Sequence, residues 1–520
     1  MSRQKRQDKQ DEREIKRMEE ILSGRVKVVY YGRASKPAQP NRKGGVAATA
    51  EEETEMTEGY ARLLRALLPG IVAKLSRIED PRDQRRIEHS LPLLMLFGIL
   101  MFLSHCTSRR AANRELARSS LLSLVEEFVP GAKDMPHADT LARLLCAIDV
   151  EAIDRYYEEL LRDFIKSKPF QELNPGRFLV TIDGTQKFSR RYQWDVGALN
   201  RSVGDGDKER HYVYVLESIL ILDNGMALPL LTEILENEES VATVQEKAGT
   251  TAGGEHAQKQ DCETKAFHRL AQRLEKLLGK GCVNVVLDGI YASGPVISRC
   301  QNNGWGYMIV LKKDCLKTVW EEFNGLQRIE TNNVLLAQWG QRWQEYRWIN
   351  EIEYTYGKNY KRLTVNVVTC TETWVEQCPR SGKEPKTMET EYAWLSSSHL
   401  TPDNVFETCT KIARSRWRIE NNFLVEKHQG YQYSHCYSYN WEAMKGFHYL
   451  MKFGIFLNVF ITHSEAAIMY ARIEGIQGYV KRIWESLRQG KWLTADNTEK
   501  TDSAVRGRLR IRFPKLKMTV

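Results

Sequence analysis

The sequence lacks paired cysteines, an apolar leader and an apolar run long enough to cross a membrane. Its 10 cysteines are scattered and include no CxxC pair, so neither a zinc ribbon nor a disulfide framework is indicated and we expect reduced thiols. The charged N-terminus contains no apolar h-region, so we expect no signal peptide. The longest apolar run, LPLLMLFGILMFL from Leu91 to Leu103, is too short to span a bilayer and predicts a buried helix.

What the chain does contain is enough apolar sequence for a large soluble protein. It has 520 residues, of which 42% are hydrophobic and 28% charged, values typical of a globular protein with more than one domain. The formal net charge is +9 and the pI about 8.9. This excess of positive charge favours a polyanionic partner without identifying one. No internal repeat is evident in the sequence.

Shifts in composition divide the chain into segments. The first is charged at both ends with a Gly/Ala/Glu-rich middle, and we expect it to be poorly ordered. A helical segment, an α/β segment, a β-rich aromatic segment, a second helical segment and a basic C-terminal segment follow. The predicted ranges are 1–75, 76–170, 171–312, 313–400, 401–465 and 466–520.

The third segment alternates strands and helices. The run RFLVTIDG is followed by a hairpin pattern with its turn at Asp223-Asn224-Gly225, an amphipathic helix, the strand NVVLDG, a second helix and the strand YMIVLKK. This order predicts an α/β fold with some parallel pairing. We expect the β-rich segment that follows to form a separate antiparallel insertion.

Asp183 and Asp288 each follow a predicted strand and precede a glycine. If the two strands pair in parallel, both carboxylates emerge at the same sheet edge, where ligands bind in open α/β sheets. Two adjacent carboxylates repel each other unless a cation lies between them, and hard oxygen ligands suit Mg²⁺ or Mn²⁺. The alternative is that each Asp-Gly pair is only a turn.

The stretch RWRIENNFLVEK places charge on the packed face of a predicted helix. At about 100° per residue, one narrow stripe holds four side chains: Arg416, Glu420, Phe423 and Lys427. Apolar residues flank the stripe, namely Trp417 and Leu424 on one side and Ile419 on the other. Because buried charge is costly, the pattern predicts a metal and phosphate site centred on Glu420. The alternative is an Arg416–Glu420 pair that merely stabilises the helix. Other acidic residues rank below Glu420: Asp195, Glu238, Glu239 and Glu426.

These motifs resemble those of the DDE transposases of bacterial insertion sequences. TIDGT and VVLDGIYA are similar to the first two motifs. The third motif of one group reads Tyr, two residues, Arg, three residues, Glu, six residues, Lys, and Arg416, Glu420 and Lys427 match that spacing. Ala413 occupies the tyrosine position, so the phosphate contact of that tyrosine is missing or supplied by another residue. The resemblance covers about residues 80–465.

The resemblance implies an RNase H-like catalytic core, interrupted by the antiparallel β insertion and preceded by a helical DNA-binding domain. It implies that Asp183, Asp288 and Glu420 bind two Mg²⁺ or Mn²⁺ ions and catalyse hydrolysis at the ends of the mobile element, followed by attack of the freed 3′-hydroxyl on target DNA. Arg416 and Lys427 would hold DNA phosphate. The implied partners are double-stranded DNA and further copies of the chain, in a homodimer or larger synaptic assembly. The implied location is the bacterial cytosol, with no membrane.

Further features predict DNA contacts. A helix beginning after Ser108 would present basic side chains, with a solvated face as the alternative: Arg109, Arg110 and Arg114. The tail after Val505 alternates basic and apolar residues. In the β-rich segment, base stacking by at least one tryptophan competes with cross-strand packing as the interpretation. The tryptophans concerned are Trp339, Trp343 and Trp348.

Two rival functions stay open. One is an RNase H-like nuclease that cuts without strand transfer, and joined product in a reaction with end DNA and target plasmid would discriminate against it. The other is a domesticated DNA-binding protein that no longer cuts. Terminal inverted repeats beside the gene would favour a mobile element over that second rival.

Overall fold

The computed structural model describes residues 19, 28–31, 50–174, 176–203, 209–237, 261–376, 386–491 and 513. The strands in these residues are β1 (Val28–Tyr31), β2 (Phe178–Arg190), β3 (Leu199–Ser202), β4 (Glu209–Ile221), β5 (Ala227–Leu235), β6 (Val283–Leu287), β7 (Gly306–Val310), β8 (Val334–Trp339), β9 (Arg342–Tyr356), β10 (Lys361–Glu376) and β11 (Lys386–Ser396).

The α-helices in the same residues are α1 (Ala50–Leu75), α2 (Leu91–Leu103), α3 (Arg109–Glu115), α4 (Ser119–Phe128), α5 (Ala138–Leu145), α6 (Glu151–Ile165), α7 (Lys168–Leu173), α8 (Glu263–Leu278), α9 (Gly294–Asn302), α10 (Lys317–Leu326), α11 (Trp417–His428), α12 (Trp441–Thr462), α13 (Ile468–Glu474) and α14 (Ile476–Arg488). The chain enters α11 through a π-helical turn, Glu407–Ile412, and a 3₁₀ turn, Ala413–Arg416.

All the described strands belong to one mixed sheet. Its spatial order is β1-β8-β9-β10-β11-β7-β6-β2-β4-β3, and β5 also pairs with β4. Strands β2, β6 and β7 are parallel, while β4 and β5 form the predicted hairpin beside β2. The α/β architecture, the partial parallel pairing and the hairpin are thereby confirmed. Gly225 has a φ of 90° in the hairpin turn, a conformation that favours glycine.

The β-rich segment, residues 313–400, continues this sheet instead of forming a separate one. Strands β8 to β11 are antiparallel, as expected. However, β11 pairs with β7, with Leu395 opposite Ile309. The pairing supplies hydrogen-bond partners for the edge of β7, which would otherwise be exposed. The segment expected to be a separate antiparallel insertion is therefore antiparallel, but its strands are continuous with the sheet of the α/β segment.

Residues 50–75 also differ from expectation. We predicted poor order over 1–75, but α1 is a 26-residue helix with a buried apolar face that includes Met56, Tyr60, Leu64, Leu68, Ile71 and Leu75. Spacings of three and four residues put these side chains on one face of the helix, a period that the Gly/Ala/Glu-rich composition obscured. Tyr60 packs edge-on against Trp484 of α14. Most of residues 1–49 lie outside the described residues.

Helix α2 is the buried helix that its composition predicts, and α12 crosses it closely. A Cβ at Gly98 would lie 2.6 Å from Leu450 of α12, and a Cβ at Gly454 would lie 2.7 Å from Phe102 of α2. Larger residues would force the two helices apart. The hydrophobic core runs without a break from these helices to β2, β5 and α8, so the helical segment 76–170 shares its core with the sheet. Within the described part of the chain, no helix combines the length and apolar character needed to cross a membrane.

Candidate active site

The parallel pairing of β2 with β6 places two aspartates side by side. Ile182 lies opposite Leu287 in the last pair of this register, so Asp183 and Asp288 come next on their strands. Asp288 directly follows the end of β6, as predicted. Asp183 does not end its strand, because β2 continues to Arg190 in antiparallel pairing with β4. The two carboxylates share one edge of the parallel pairing, although only one of them lies at a strand end.

The glycine after each aspartate makes room for a neighbouring side chain. A Cβ at Gly184 would lie 2.7 Å from the hydroxyl of Tyr214 and 2.9 Å from the carboxyl carbon of Glu263. A Cβ at Gly289 would lie 2.8 Å from the stem of Lys312. Both Asp-Gly pairs therefore mark sites where other side chains approach the backbone closely, and Gly184 is not a turn residue.

Helix α11 confirms the predicted helix but buries a different face. Trp417 and Leu424, which we expected to flank the packed stripe, are 54% and 56% exposed. Ile419 and Phe423 are buried, and so is Glu426, which is only 1% exposed. The packed face is thus rotated toward Glu426, because Lys452 and Lys187 from other elements offset the charge of that buried carboxylate. Glu420 is half-buried near the start of the helix and pairs with Arg416.

Arg416 connects the three carboxylates. Its Nη1 lies 2.7 Å from Oε1 of Glu420 and 3.8 Å from Oδ2 of Asp183, and its Nε lies 4.0 Å from Oδ1 of Asp288. The predicted Arg416–Glu420 pair is present, and the Arg416 guanidinium also reaches both aspartates. We call Asp183, Asp288, Glu420 and Arg416 the carboxylate site.

The carboxylate site has an excess of negative charge, since three carboxylates surround one guanidinium. The pKa of Asp183 is raised to about 6, mainly by burial and to a smaller extent by Glu263 and Asp288, against the lowering effects of the Gly184 N–H and Arg416. The Gly184 N–H donates to Oδ1 of Asp183 at 2.9 Å. One guanidinium therefore does not fully offset the carboxylates that surround Asp183, and an additional cation would favour its ionised form.

Two lysines lie beside these residues. Lys312, which follows β7, places its Nζ 3.3 Å from Oδ2 of Asp288. Lys427 donates to the hydroxyl of Thr185 at 2.5 Å, two residues beyond Asp183 on β2. Burial lowers the pKa of Lys427. Sequence reasoning missed Lys312, although its position just after the strand YMIVL was a usable signal.

A fourth carboxylate lies close to Asp183. Glu263, at the start of α8, accepts hydrogen bonds from the hydroxyls of Tyr214 at 2.6 Å and Tyr291 at 3.0 Å. No pattern in the sequence distinguished Glu263, because it lies on a helix far along the chain and only packing against β2 and β4 brings it near.

The carboxylates supply the oxygen ligands that Mg²⁺ and Mn²⁺ prefer. In the described residues, however, no group of three or more His, Cys, Asp or Glu side chains is close enough to form a ready-made metal cage. Arg416 lies among the three carboxylates and contacts each of them. The donor set therefore fits a divalent ion in its chemistry, and the ion would compete with Arg416 for the same oxygens.

A cavity of about 790 Å³ opens beside the carboxylate site. Asp288, Arg416 and Trp417 form one side of it. The remaining lining is rich in aromatic and basic side chains, which include Lys312, Lys313, Trp320, Arg347, Tyr392, Trp394 and Arg414. Tyr392 and Trp394 stack with their ring planes 8° apart. The cavity thus offers flat apolar surfaces and positive charge next to the carboxylates.

A buried carboxylate holds the segment that leads into α11. Glu372 of β10 is fully buried and pairs with Arg342 and Arg414. Arg414 also lies over the ring of Tyr392 at 4.7 Å. Through Arg414, the β-rich segment supports the turn from which Arg416 projects. Lys312, which directly precedes this segment, lies beside Asp288.

The three tryptophans considered for base stacking all lie in strands, Trp339 in β8 and Trp343 and Trp348 in β9. Trp348 is 2% exposed and Trp339 is buried, both in a core that Tyr346 also joins. Trp343 is half-buried and pairs across the strands with Gln338 and Thr373. Burial favours the packing alternative for Trp339 and Trp348.

The basic helix begins where the sequence predicts. Ser108 caps α3 by accepting a hydrogen bond from the Ala111 N–H. Arg110 and Arg114 are exposed, whereas Arg109 pairs with Asp139 at 3.2 Å. Arg114 also pairs with Glu115, its neighbour on the same helix. The basic tail, apart from residue 513, and the acidic residues at 238 and 239 lie outside the described residues.

Comparison with known proteins adds one finding. Residues 72–161 match the family model described as DDE_Tnp_1-associated. The matched segment runs from the end of α1 into α6 and does not include the strands that carry Asp183 and Asp288. The match points to the transposases as a class and, within that class, to a family of the DDE type. The search of curated proteins returned no match.

Proposed function

We propose that the chain is a DDE transposase that cleaves phosphodiester bonds at the ends of its mobile element and joins the 3′-hydroxyl ends to target DNA. The observation that carries the proposal is the convergence of three carboxylates, from two adjacent parallel strands and one helix, on Arg416. The family match at residues 72–161 supports the same class of protein.

The proposal includes an RNase H-like core of the type that the sequence resemblance implies. Support comes from the strand order β5-β4-β2-β6-β7, in which a hairpin lies antiparallel to β2 and two later strands lie parallel to it. On this interpretation, β8 to β11 are an insertion that extends the core sheet between Asp288 and Glu420. The helical segment before β2 is the proposed DNA-binding domain.

Asp183, Asp288 and Glu420 are the proposed ligands of two Mg²⁺ or Mn²⁺ ions. Such ions, when bound, activate the attacking water or hydroxyl and stabilise the leaving oxygen of a phosphodiester. The raised pKa of Asp183 supports this assignment, because it marks a buried carboxylate with two further carboxylates nearby, whose ionised form a bound cation would stabilise.

Arg416 and Lys312 are the proposed phosphate-binding residues at the site. A guanidinium donates two parallel hydrogen bonds to phosphate, so Arg416 can exchange its carboxylate partners for the scissile phosphate. Lys312 is half exposed beside Asp288 and can approach the same phosphate. Lys427 is proposed to contact a phosphate near Thr185, where its ammonium lies. These cations would orient the DNA strand, whereas the carboxylates would hold the ions.

The cavity beside Arg416 is the proposed place for an unstacked base. Trp320 and Tyr392, which are both half-buried, supply ring faces there, and aromatic stacking of a base is worth about 1–3 kcal/mol. Among Trp339, Trp343 and Trp348, the half-buried Trp343 is the one whose burial least opposes base stacking.

Trp320→Ala should leave first-strand nicking intact and slow release of the second strand. An unchanged ratio of the two steps would assign the cavity another role.

The proposed reaction is tested with the purified full chain, a duplex that carries the inverted repeat flanking its coding sequence, and a supercoiled target plasmid. In Mg²⁺ we expect cleaved ends and plasmid joined to the duplex, and neither product in EDTA. The matched control is Glu420→Gln, which should bind the duplex and form neither product. Cleavage without joined plasmid would identify a nuclease, and binding without cleavage a non-catalytic DNA-binding protein.

A further inference from the structure

A second group of ionisable side chains lies buried behind the carboxylate site. It consists of Lys187, Glu217, Glu426, Tyr433, His448 and Lys452, and we call it the ion cluster. Each member is 3% exposed or less. The members come from β2, β4, α11, the loop after α11, and α12. Buried charges are tolerated only when they are balanced and hydrogen-bonded, so this arrangement requires an explanation.

Glu217 is the centre of the ion cluster. It accepts hydrogen bonds from Lys452 at 2.6 Å, Tyr433 at 2.8 Å and Thr232 at 2.7 Å. Burial opposes its ionisation, but Lys452 and its other partners hold the pKa of Glu217 below its ordinary value. On the sheet, Glu217 lies directly opposite Asp183, so the ion cluster begins at the strand position next to the carboxylate site.

Lys187 and His448 complete the side of the ion cluster nearest β2. Lys187 donates to the carbonyl of Tyr433 at 2.9 Å and lies 3.3 Å from Nδ1 of His448. Burial lowers the pKa of His448 to about 4, so the ring is neutral at pH 7. Because Nδ1 faces an ammonium, the ring proton belongs on Nε2, which points at Glu217 from 3.4 Å.

Glu426 joins α11 to this group. Its Oε1 accepts a hydrogen bond from Asn422 at 2.7 Å, and its backbone carbonyl accepts one from the Tyr433 N–H at 3.1 Å. Its Oε2 is buried and has no hydrogen-bond partner in the described part of the chain. Lys452 and Lys187 provide the positive charge around this carboxylate. Without Glu426, the two lysines would face Glu217 alone.

Three positions on β2 connect to α11 or to the turn before it. Asp183 pairs with Arg416, which directly precedes α11, and Lys427 donates to the hydroxyl of Thr185. Lys187 and Glu426 lie together in the ion cluster, where their opposite charges attract each other. The two elements carry the first and third carboxylates of the proposed site, so the contacts between them set the separation of those carboxylates.

We propose that Glu426 is a positioning residue, which holds α11 in register with β2 through the ion cluster and thereby sets the position of Glu420 relative to Asp183. The inference rests on the proposed function, since it concerns the alignment of the carboxylates that would bind metal. A displacement of about 1 Å at such a site costs on the order of a hundredfold in rate.

The test compares Glu426→Gln with wild type. The amide keeps the shape and can retain the Asn422 contact, but it removes the charge. We expect single-turnover cleavage of the inverted-repeat duplex to fall by about 10- to 100-fold with unchanged duplex affinity. In a titration with Mn²⁺ alone, followed by electron paramagnetic resonance, we expect weaker binding at the carboxylate site.

A pH profile separates positioning from simple loss of stability. Burial raises the pKa of Glu426 to about 7 and lowers the pKa of Lys187 to about 7, so charge balance in the ion cluster should change near that pH. The wild-type rate profile should contain a step there, and Glu426→Gln should move that step to lower pH, because Lys187 loses the carboxylate that raises its pKa. The groups around Glu426 that belong to the same titration are Lys187, Glu217, Lys427, Tyr157, Tyr431, Tyr433, His448 and Lys452.

The matched control is Asp154→Asn. Asp154 is also buried and pairs with Arg273 at 2.5 Å in another ion group, which joins α6, α8 and β5. It should lower the melting temperature without changing the cleavage rate or Mn²⁺ affinity of the folded protein. If Glu426→Gln behaves like Asp154→Asn, or like wild type, the positioning role is refuted.

A double variant covers the case in which Glu426→Gln does not fold. Glu426→Gln with Lys187→Gln removes one charge of each sign and keeps the ion cluster neutral. It should fold and still show weakened Mn²⁺ binding. Wild-type Mn²⁺ affinity in that variant would overturn the inference. If wild type itself binds Mn²⁺ but cleaves no DNA, the proposed function fails while the Mn²⁺ titrations still decide the inference.

Discussion

The carboxylate site and the ion cluster share two structural elements but balance charge in opposite ways. In the carboxylate site, Asp183, Asp288 and Glu420 face Arg416 and the neighbouring Lys312, and every one of these side chains retains some exposure. In the ion cluster, two glutamates face two lysines and a neutral histidine, and all are buried. The two groups are separated by only a few residues along β2 and α11.

If the carboxylate site binds cations as proposed, the difference is the one expected between a cation-binding site and a structural core. A fully buried group must be neutral as a whole, because any unbalanced charge would cost several kcal/mol of desolvation. A site that binds cations needs the reverse, an excess of negative charge that stays open to solvent, although this excess reduces stability. The raised pKa of Asp183 and the lowered pKa of Glu217 are the two signs of this contrast.

The largest expected effect is on activity at the carboxylate site. Asp183→Asn, Asp288→Asn and Glu420→Gln should each reduce end cleavage in Mg²⁺ by about a thousandfold or more, because an amide keeps the shape but loses the charge that the ions need. Duplex binding should persist, measured by gel shift in Ca²⁺. Near-normal cleavage by Glu420→Gln would remove that residue from the site and break the comparison.

The next effect is on stability at the ion cluster. Glu217→Gln should lower the free energy of unfolding by about 3–5 kcal/mol, because it leaves Lys452 buried without its main partner. Urea unfolding followed by circular dichroism measures the change. Lys452→Met alone should have a similar cost, whereas combining the two substitutions should recover part of the loss. A change below about 1 kcal/mol for Glu217→Gln would contradict the balanced-cluster interpretation.

A smaller effect of opposite sign is expected for Asp183→Asn without metal. The folded-state pKa of Asp183, about 6, lies above its ordinary value of 3.8. The folded state therefore binds more protons between these values, and stability falls as pH rises from about 4 to 6. Asparagine removes this loss, so the variant should exceed wild type by about 1–3 kcal/mol above pH 6 and by little below pH 4. Thermal unfolding in EDTA at several pH values provides the measurement, and equal stabilities at pH 7.5 would refute the excess-charge account.

The smallest effects are expected for exposed charges. Arg110→Gln and Arg114→Gln lie on α3, where the side chains are open to solvent. Each should change the free energy of unfolding by less than about 0.5 kcal/mol. If α3 faces DNA, each should also reduce the slope of log affinity against log salt by about one. An unchanged slope would leave the solvated-face alternative.

Local sequence patterns indicate the carboxylate site much better than the ion cluster. Asp288 was predicted correctly at a strand end, because a β-branched run followed by Asp-Gly is a local pattern. Asp183 was also selected, but its strand continues past the glycine, since pairing with β4 extends beyond the parallel partner. Glu426 ranked low because an acidic residue near the edge of a stripe gives no local sign of burial. Lys187 and Lys452, whose positive charges offset that of Glu426, lie on β2 and α12, far away in the chain.

The sequence by itself determined the order of strands and helices, the buried helix α2, the hairpin turn and the spacing of Arg416, Glu420 and Lys427, because these depend on local periodicity and turn chemistry. Only the tertiary structure decided that Lys312 and Glu263 approach the aspartates, that Arg416 reaches all three carboxylates, and that the β-rich segment extends the same sheet. It also decided which face of α11 is buried. Charge is the physical reason: whether an ionised side chain is exposed, balanced or in excess depends on partners that folding brings together from distant parts of the chain.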